Sequence, residues 1–202
     1  TQDNLDINNA KQIMDQTHYG MDTVKNLILD YLAVMQLNKK NAPEQTQSRA
    51  PIMLFVGLQG VGKTSIARSI ATAMGRKFVR ISLGALGSVQ ALRGQSKAFL
   101  DAEPGQVIKA LVRTETMNPV ILLDEIDKVS GNSGLLNDVM AALLDILDPE
   151  QNTQFMDHYV DHPVDLSRVF FICTANNLGS LSAALLDRME IIRFTSYTDE
   201  EK

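Results

Sequence analysis

The sequence predicts an α/β domain, a parallel sheet with helices on both faces. Short apolar runs recur at positions 52–56, 78–81, 120–123, 169–173 and 191–194. Helical stretches separate them, at 63–74, 105–115, 135–147 and 181–186. A glycine-rich segment lies where the first apolar run gives way to the first of those helices. Alternation of this kind specifies βα units, and four of the runs are continuous enough in apolar character for strands buried on both faces.

Taken in order, the chain opens with a helical lead-in. A short helix is predicted around 10–16, then a longer one from Asp22, where Val24, Leu27, Ile28, Tyr31, Leu32 and Met35 recur at helical spacing. Gly20 breaks the two. The stretch 38–50 is polar, interrupted by Pro43, and reads as a flexible connection. This gives a helical segment with a polar linker over 1–50 and the α/β domain over 51–202. A chain of 202 residues accommodates one well-cored domain and is short for two. With aromatic residues at 5% and no Trp, its core must be aliphatic. The net charge of −5 argues against a dedicated nucleic-acid binder, which needs a basic face. The N-terminus carries no secretory pattern and no apolar stretch is long enough to span a bilayer, so a soluble, intracellular protein is expected. Cys173, alone and inside the run Val169, Phe170, Phe171, Ile172, reads as a buried structural thiol. His158 and His162 bracket Asp161 without a metal-ligand spacing and read as solvated loop residues.

The glycine-rich segment is Gly57-Leu58-Gln59-Gly60-Val61-Gly62-Lys63-Thr64, which fits G-x-x-x-x-G-K-[ST]. Glycines there let backbone N–H groups curl around phosphate oxygens, and the helix that follows aims its positive end at them. Lys63 is then expected at the β- and γ-phosphates and the Thr64 hydroxyl at Mg²⁺. A chance glycine-rich turn explains neither the strand before the segment nor the helix after it.

The run Val120-Ile121-Leu122-Leu123-Asp124-Glu125 delivers two carboxylates to the end of a buried strand, where ligands gather in parallel sheets. Asp124 is the expected second holder of Mg²⁺. Glu125 is placed to accept a proton from the water that attacks the γ-phosphate. A small-molecule kinase needs no such glutamate, so hydrolysis is favoured. After 169–173 comes Asn176, suited to hold that water or sense the γ-phosphate, though Asn is also a common turn residue. Arg188 precedes the last strand and suits a finger reaching a neighbouring subunit's nucleotide; the plainer reading pairs it with Asp187 or Glu190.

The order of these motifs, with LLDEIDK and LLDRMEII, resembles the AAA+ superfamily. HYGM at 18–21, RKFVRISLG at 76–84, LLDILDPEQN at 143–152 and ALLDRMEII at 184–192 resemble Lon proteases in particular, over nearly the whole chain. The resemblance implies a AAA+ large subdomain with a five-stranded parallel sheet, a homo-hexameric ring and ATP or ADP bound with Mg²⁺ at subunit interfaces. It implies Asn176 as the sensor residue, Arg188 as the finger in trans, and a phosphate loop of Gly57, Gly60, Val61, Gly62, Lys63, Thr64 and Ser65. Tyr19 and Gly20 fall where the family meets adenine. Phe99, followed by Leu100, falls where it grips unfolded polypeptide in the pore. A helical lid and a Ser-Lys proteolytic domain are expected beyond Lys202, the chain being a piece of a longer polypeptide.

Departures from the family pattern are Leu58-Gln59 in place of Pro-Pro, Phe99 in place of Tyr, and 130–138 without Gly-Asp-Pro. Neither loop residue is expected to supply a required side chain. Lon enzymes occupy bacterial cytoplasm, mitochondrial matrix or peroxisomes, and the polar insertion at 38–50 reads closer to the peroxisomal branch. Two alternatives stand beside the protease motor: a nucleic-acid remodelling ATPase, disfavoured by the acidic balance, and a nucleotide-gated binding module, which has no use for Glu125. A phosphate-loop kinase leaves Asn176 and Arg188 unexplained.

Overall fold

A computed structural model describes residues 6–17, 22–41, 52–129 and 133–194. Two helices, α1 (Ile7–Thr17) and α2 (Asp22–Asn41), precede strand β1 (Ile52–Val56) and helix α3 (Lys63–Ala73). Then come β2 (Phe78–Ser82), α4 (Gln90–Arg93), α5 (Gln106–Thr114), β3 (Val120–Asp124) and α6 (Ser133–Leu147). A small pair, β4 (Phe155–Asp157) and β5 (His162–Val164), is followed by β6 (Phe170–Ala175), α7 (Ala183–Leu186) and β7 (Met189–Arg193).

Five strands form one parallel sheet in the order β2-β3-β6-β1-β7. Period-two alternation divides their side chains between two cores. Met53 and Phe55 of β1, Val120 and Leu122 of β3, and Phe170 and Ile172 of β6 face α3, together with Ala10 and Met14 of α1 and Ile28 and Leu32 of α2. Leu54, Leu123 and Cys173 face the other way, against Val107 and Leu111 of α5 and Leu143 and Ile146 of α6. The helices therefore cover both faces, as the sequence predicts.

Three details differ from expectation. Only the central strands β1, β3 and β6 are buried along their whole length; β2 and β7 are sheet edges, and their outward residues Arg80, Glu190 and Ile191 are exposed. Helix α2 continues to Asn41 instead of yielding to a linker at Asn38, because Asn38, Lys39 and Lys40 prolong its polar end and Lys is a good helix former. His162 opens strand β5 and is not a loop residue, although it and His158 are both exposed.

The antiparallel pair β4-β5 was not legible in the sequence, and it serves as a mount. Asp157, fully buried, accepts N–H bonds from Gly105 (2.7 Å), Tyr159 (2.9 Å) and Val160 (3.0 Å). The His158 N–H donates to the Arg93 carbonyl at 2.7 Å. Both ends of the segment 94–105 are thereby tied to the β4-β5 turn, and its tip carries Phe99 and Leu100, 68% and 105% exposed. A Cβ at Gly105 would lie 2.0 Å from the Leu92 carbonyl oxygen, so only glycine fits. Gly105→Ala is expected to destabilise the domain by about 2–3 kcal/mol, lowering its melting temperature by roughly 5–10 °C. Gly87→Ala, whose Cβ would meet nothing within 4 Å, serves as the unperturbed control; equal melting of the two variants would refute the mount.

Candidate nucleotide site

Strand β1 ends at Val56 and its chain turns through the glycine-rich loop into α3. Gly60 (φ 83°) and Gly62 (φ 90°) adopt the left-handed region, where a side chain is strained. A Cβ at either would meet no atom within 4 Å, so the space beside both glycines is open. Val61 points the opposite way, its side chain buried with Ile66 in the α3-side core, which pins the loop from beneath. The Ile66 N–H is the first to bond back, to the Gly62 carbonyl at 3.0 Å. The N–H groups of Lys63, Thr64 and Ser65 in that first turn thus have no intrahelical acceptor, the arrangement that receives anions.

Lys63 is 8% exposed. Its ammonium donates to the carbonyl of Gly57, to the carbonyl of Ala175 at 3.2 Å and to Oδ1 of Asn176 at 2.8 Å. Burial lowers its pKa below the ordinary lysine value, opposed by the charges of Asp127, Asp124 and Glu125. The loop lysine, the acid pair and the asparagine at the end of β6 therefore occupy one neighbourhood. The strand order explains why: β6 lies between β1 and β3, so the three strand ends converge.

Asp124 is 5% exposed, and a buried carboxylate requires donors. Thr174 of β6 donates its hydroxyl to Oδ1, while Arg80 of β2 donates to Oδ2 from Nε at 2.6 Å and Nη2 at 2.5 Å. Glu125 has left-handed backbone (φ 60°, ψ 48°), held by its N–H bond to the Thr174 hydroxyl at 2.9 Å. Its Oε1 accepts from Lys128 at 2.6 Å and from the Gln59 amide at 2.7 Å. Those two bonds, Lys128 first, hold the Glu125 carboxyl below the usual glutamate range, so it is ionised at neutral pH. Gln59 thus touches the acid pair, contrary to the expectation that its side chain is idle.

Asp127 places the asparagine: its Oδ2 accepts the N–H groups of Asn176 and Asn177 at 3.0 and 2.9 Å. Its Oδ1 is buried and without a partner among the described residues. The sequence reading missed Thr174, Arg80 and Asp127, although each left a signal. Thr174 is a polar residue in a strand buried at every position, Arg80 a charge inside the run Phe78-Val79-Arg80-Ile81, and Asp127 a third acid two residues beyond the pair.

Not every expected residue joins this cluster. The Arg188 guanidinium bonds the Ala184 carbonyl (2.7 Å) and the Asp148 carboxylate (3.0 Å), not Asp187 or Glu190. Phe99 and Leu100 belong to the exposed loop already described. Ser65 is exposed on α3, and its carbonyl accepts the Ser69 hydroxyl at 3.2 Å. Tyr19 and Gly20 lie outside the described residues, as does 130–132 of the segment expected to form the second pore loop. Cys173 is fully buried and burial pushes its thiol pKa up, as an inert core residue requires. Among the described residues no helix is long and apolar enough to cross a membrane, and no three His, Cys, Asp or Glu side chains group as a metal cage.

A glycine cradle on a parallel sheet, a buried lysine inside it and an acid pair two strands away, across β6, define a phosphate-loop nucleotide-binding protein. The sequence pattern of AAA, the ATPase family associated with various cellular activities, matches residues 53–197. The chain belongs to that family, and nucleotide binding comes with it. Its whole length is 50% identical over 207 residues to Lon protease 2 of Thermus thermophilus, covering 26% of that protein. Lon protease of Nitrosococcus oceani is 48% identical over 202 residues, with 100% of this chain and 25% of the relative covered. For the peroxisomal Lon protease homolog 2 of Pichia angusta the figures are 47% over 218 residues, 98% and 23%. The chain thus spans about a quarter of the length of these relatives.

Proposed function

We propose that this chain is the ATP-hydrolysing motor of a Lon-type ATP-dependent protease, working in a homo-hexameric ring that threads unfolded polypeptide. The observation that carries the reading is the contact of Lys63 with Asn176 in the middle of the cradle, beside Asp124 and Glu125. The Gly57 N–H is bonded to the Ala175 carbonyl at 3.2 Å, so backbone N–H groups from Gly60 through Ser65 take the phosphates of ATP, and Tyr19 and Gly20 take the adenine. The residues fit a magnesium nucleotide: Gly60 and Gly62 leave the cradle open. The donors offered to the ion, the Thr64 hydroxyl and the Asp124 carboxylate, are hard oxygens in the small number that Mg²⁺ accepts from protein. Bound there, Mg²⁺ neutralises charge on the phosphate oxygens.

Glu125 accepts the proton of the attacking water, Asn176 orients that water, and Lys63 stabilises charge on the γ-phosphate. Arg188, outside its own cluster, completes a neighbour's. Phe99 and Leu100, exposed on a loop anchored at both ends, present apolar surface to the substrate. A finger supplied in trans makes hydrolysis a property of the assembly. The specific activity of the purified chain is expected to rise with protein concentration, and the measurement is phosphate release across a dilution series with the mass of the species followed by light scattering. Fast, concentration-independent turnover by a demonstrated monomer would overturn the proposal.

A further inference from the structure

Asp148 directly follows α6, its N–H still bonded to the Leu144 carbonyl at 2.8 Å. It is 4% exposed. Its carboxylate accepts from the Glu150 N–H at 3.0 Å, from the Gln151 amide at 3.3 Å and from Arg188 at 3.0 Å. Arg188 stands at the junction of α7 and β7, and Asp187 and Glu190 flank it in sequence. The structure gives it instead to a carboxylate forty positions away, one already fixed by its own turn. A second bond, to the Ala184 carbonyl at 2.7 Å, holds the other arm of the guanidinium. Two of its five N–H donors are thereby used, and the side chain remains 38% exposed, so a braced group keeps three donors and access to solvent.

The geometry points to Asp148 as the positioning residue of the arginine finger, holding Arg188 in the orientation in which it meets a neighbouring subunit's γ-phosphate. This rests on the reading of Arg188 given above. An unbraced arginine explores many rotamers and loses that freedom on each encounter. One fixed at two points is ready in advance.

The test uses subunit mixing in the full natural polypeptide that carries this chain. Asp148→Asn keeps an oxygen for the Glu150 N–H while removing the charge that faces Arg188. Alone, it is expected to turn over ATP about 10- to 100-fold more slowly than wild type, with the Kd for a fluorescent ADP analogue unchanged and assembly intact by light scattering. Mixed with Glu125→Gln subunits, whose fingers are intact, its sites regain function. A random 1:1 mixture of independent sites in a head-to-tail ring recovers about a quarter of wild-type turnover. Arg188→Ala mixed with Glu125→Gln is the reference for the finger itself. If that reference pair shows no recovery, the finger reading fails and this proposal with it. If it recovers but Asp148→Asn does not, or if Asp148→Asn alone matches wild type, the finger stands and Asp148 is not its brace. Loss of assembly or of ADP binding by Asp148→Asn likewise overturns the proposal, because Asp148 then serves folding.

Discussion

Glu125→Gln is expected to slow hydrolysis at saturating ATP by about 100- to 10,000-fold, the range a positioned general base contributes. Nucleotide affinity should stay within about threefold, a difference under 1 kcal/mol. The separation of the two effects follows from the site. Glutamine preserves the shape of the side chain and one oxygen, so Gln59 or Lys128 still finds the acceptor they share in Glu125. The backbone is fixed independently by the bond to Thr174. What disappears is an ionised carboxylate, the only part of the residue that takes a proton. Single-turnover phosphate release and fluorescence anisotropy with a labelled nucleotide measure the two quantities separately. Parallel loss of both would remove Glu125 from catalysis and assign it to binding.

Lys63→Met should act on binding. The methionine chain is unbranched like lysine's but stops before the ammonium and offers no donor, so the carbonyls of Gly57 and Ala175 and the Asn176 oxygen lose their shared partner. A charged hydrogen bond contributes about 1.5–3 kcal/mol, and ATP affinity is expected to fall by about 10- to 100-fold. Folding should survive, because removing a buried charge relieves the desolvation that already lowers the lysine pKa. Calorimetric titration with ATP, alongside a thermal melt, checks both halves of the prediction. An unchanged Kd would show that the ammonium makes no contact with phosphate.

The parts of this protein legible in its sequence are those governed by local rules. Short, nearly continuous apolar runs located all five strands of the main sheet, and the stretches between them located the helices that cover it. The phosphate loop was readable because each of its residue types answers one physical demand within eight consecutive positions. Contacts between distant segments were not readable. Nothing near Arg80 says that β2 will flank β3, and only that pairing, Ser82 beside Asp124, brings a guanidinium to the acid. Gln59 and Glu125 meet across 66 positions, and Arg188 meets Asp148 across forty. The β4-β5 pair escaped notice because three-residue strands are too short to establish a period. Asp157 has meaning only once Gly105 is known to lie above it.

The parallel pairing of β3 with β6 places Leu123 opposite Cys173, so the next step along both strands sets Thr174 at Asp124. Inserting or deleting one residue early in β6 would exchange its two faces. A thiol or a methyl group would then confront the buried carboxylate, and the hydroxyl that ties it to Glu125 would turn into hydrocarbon. The setting of the acid pair is in this sense written into the length of a strand that carries neither residue.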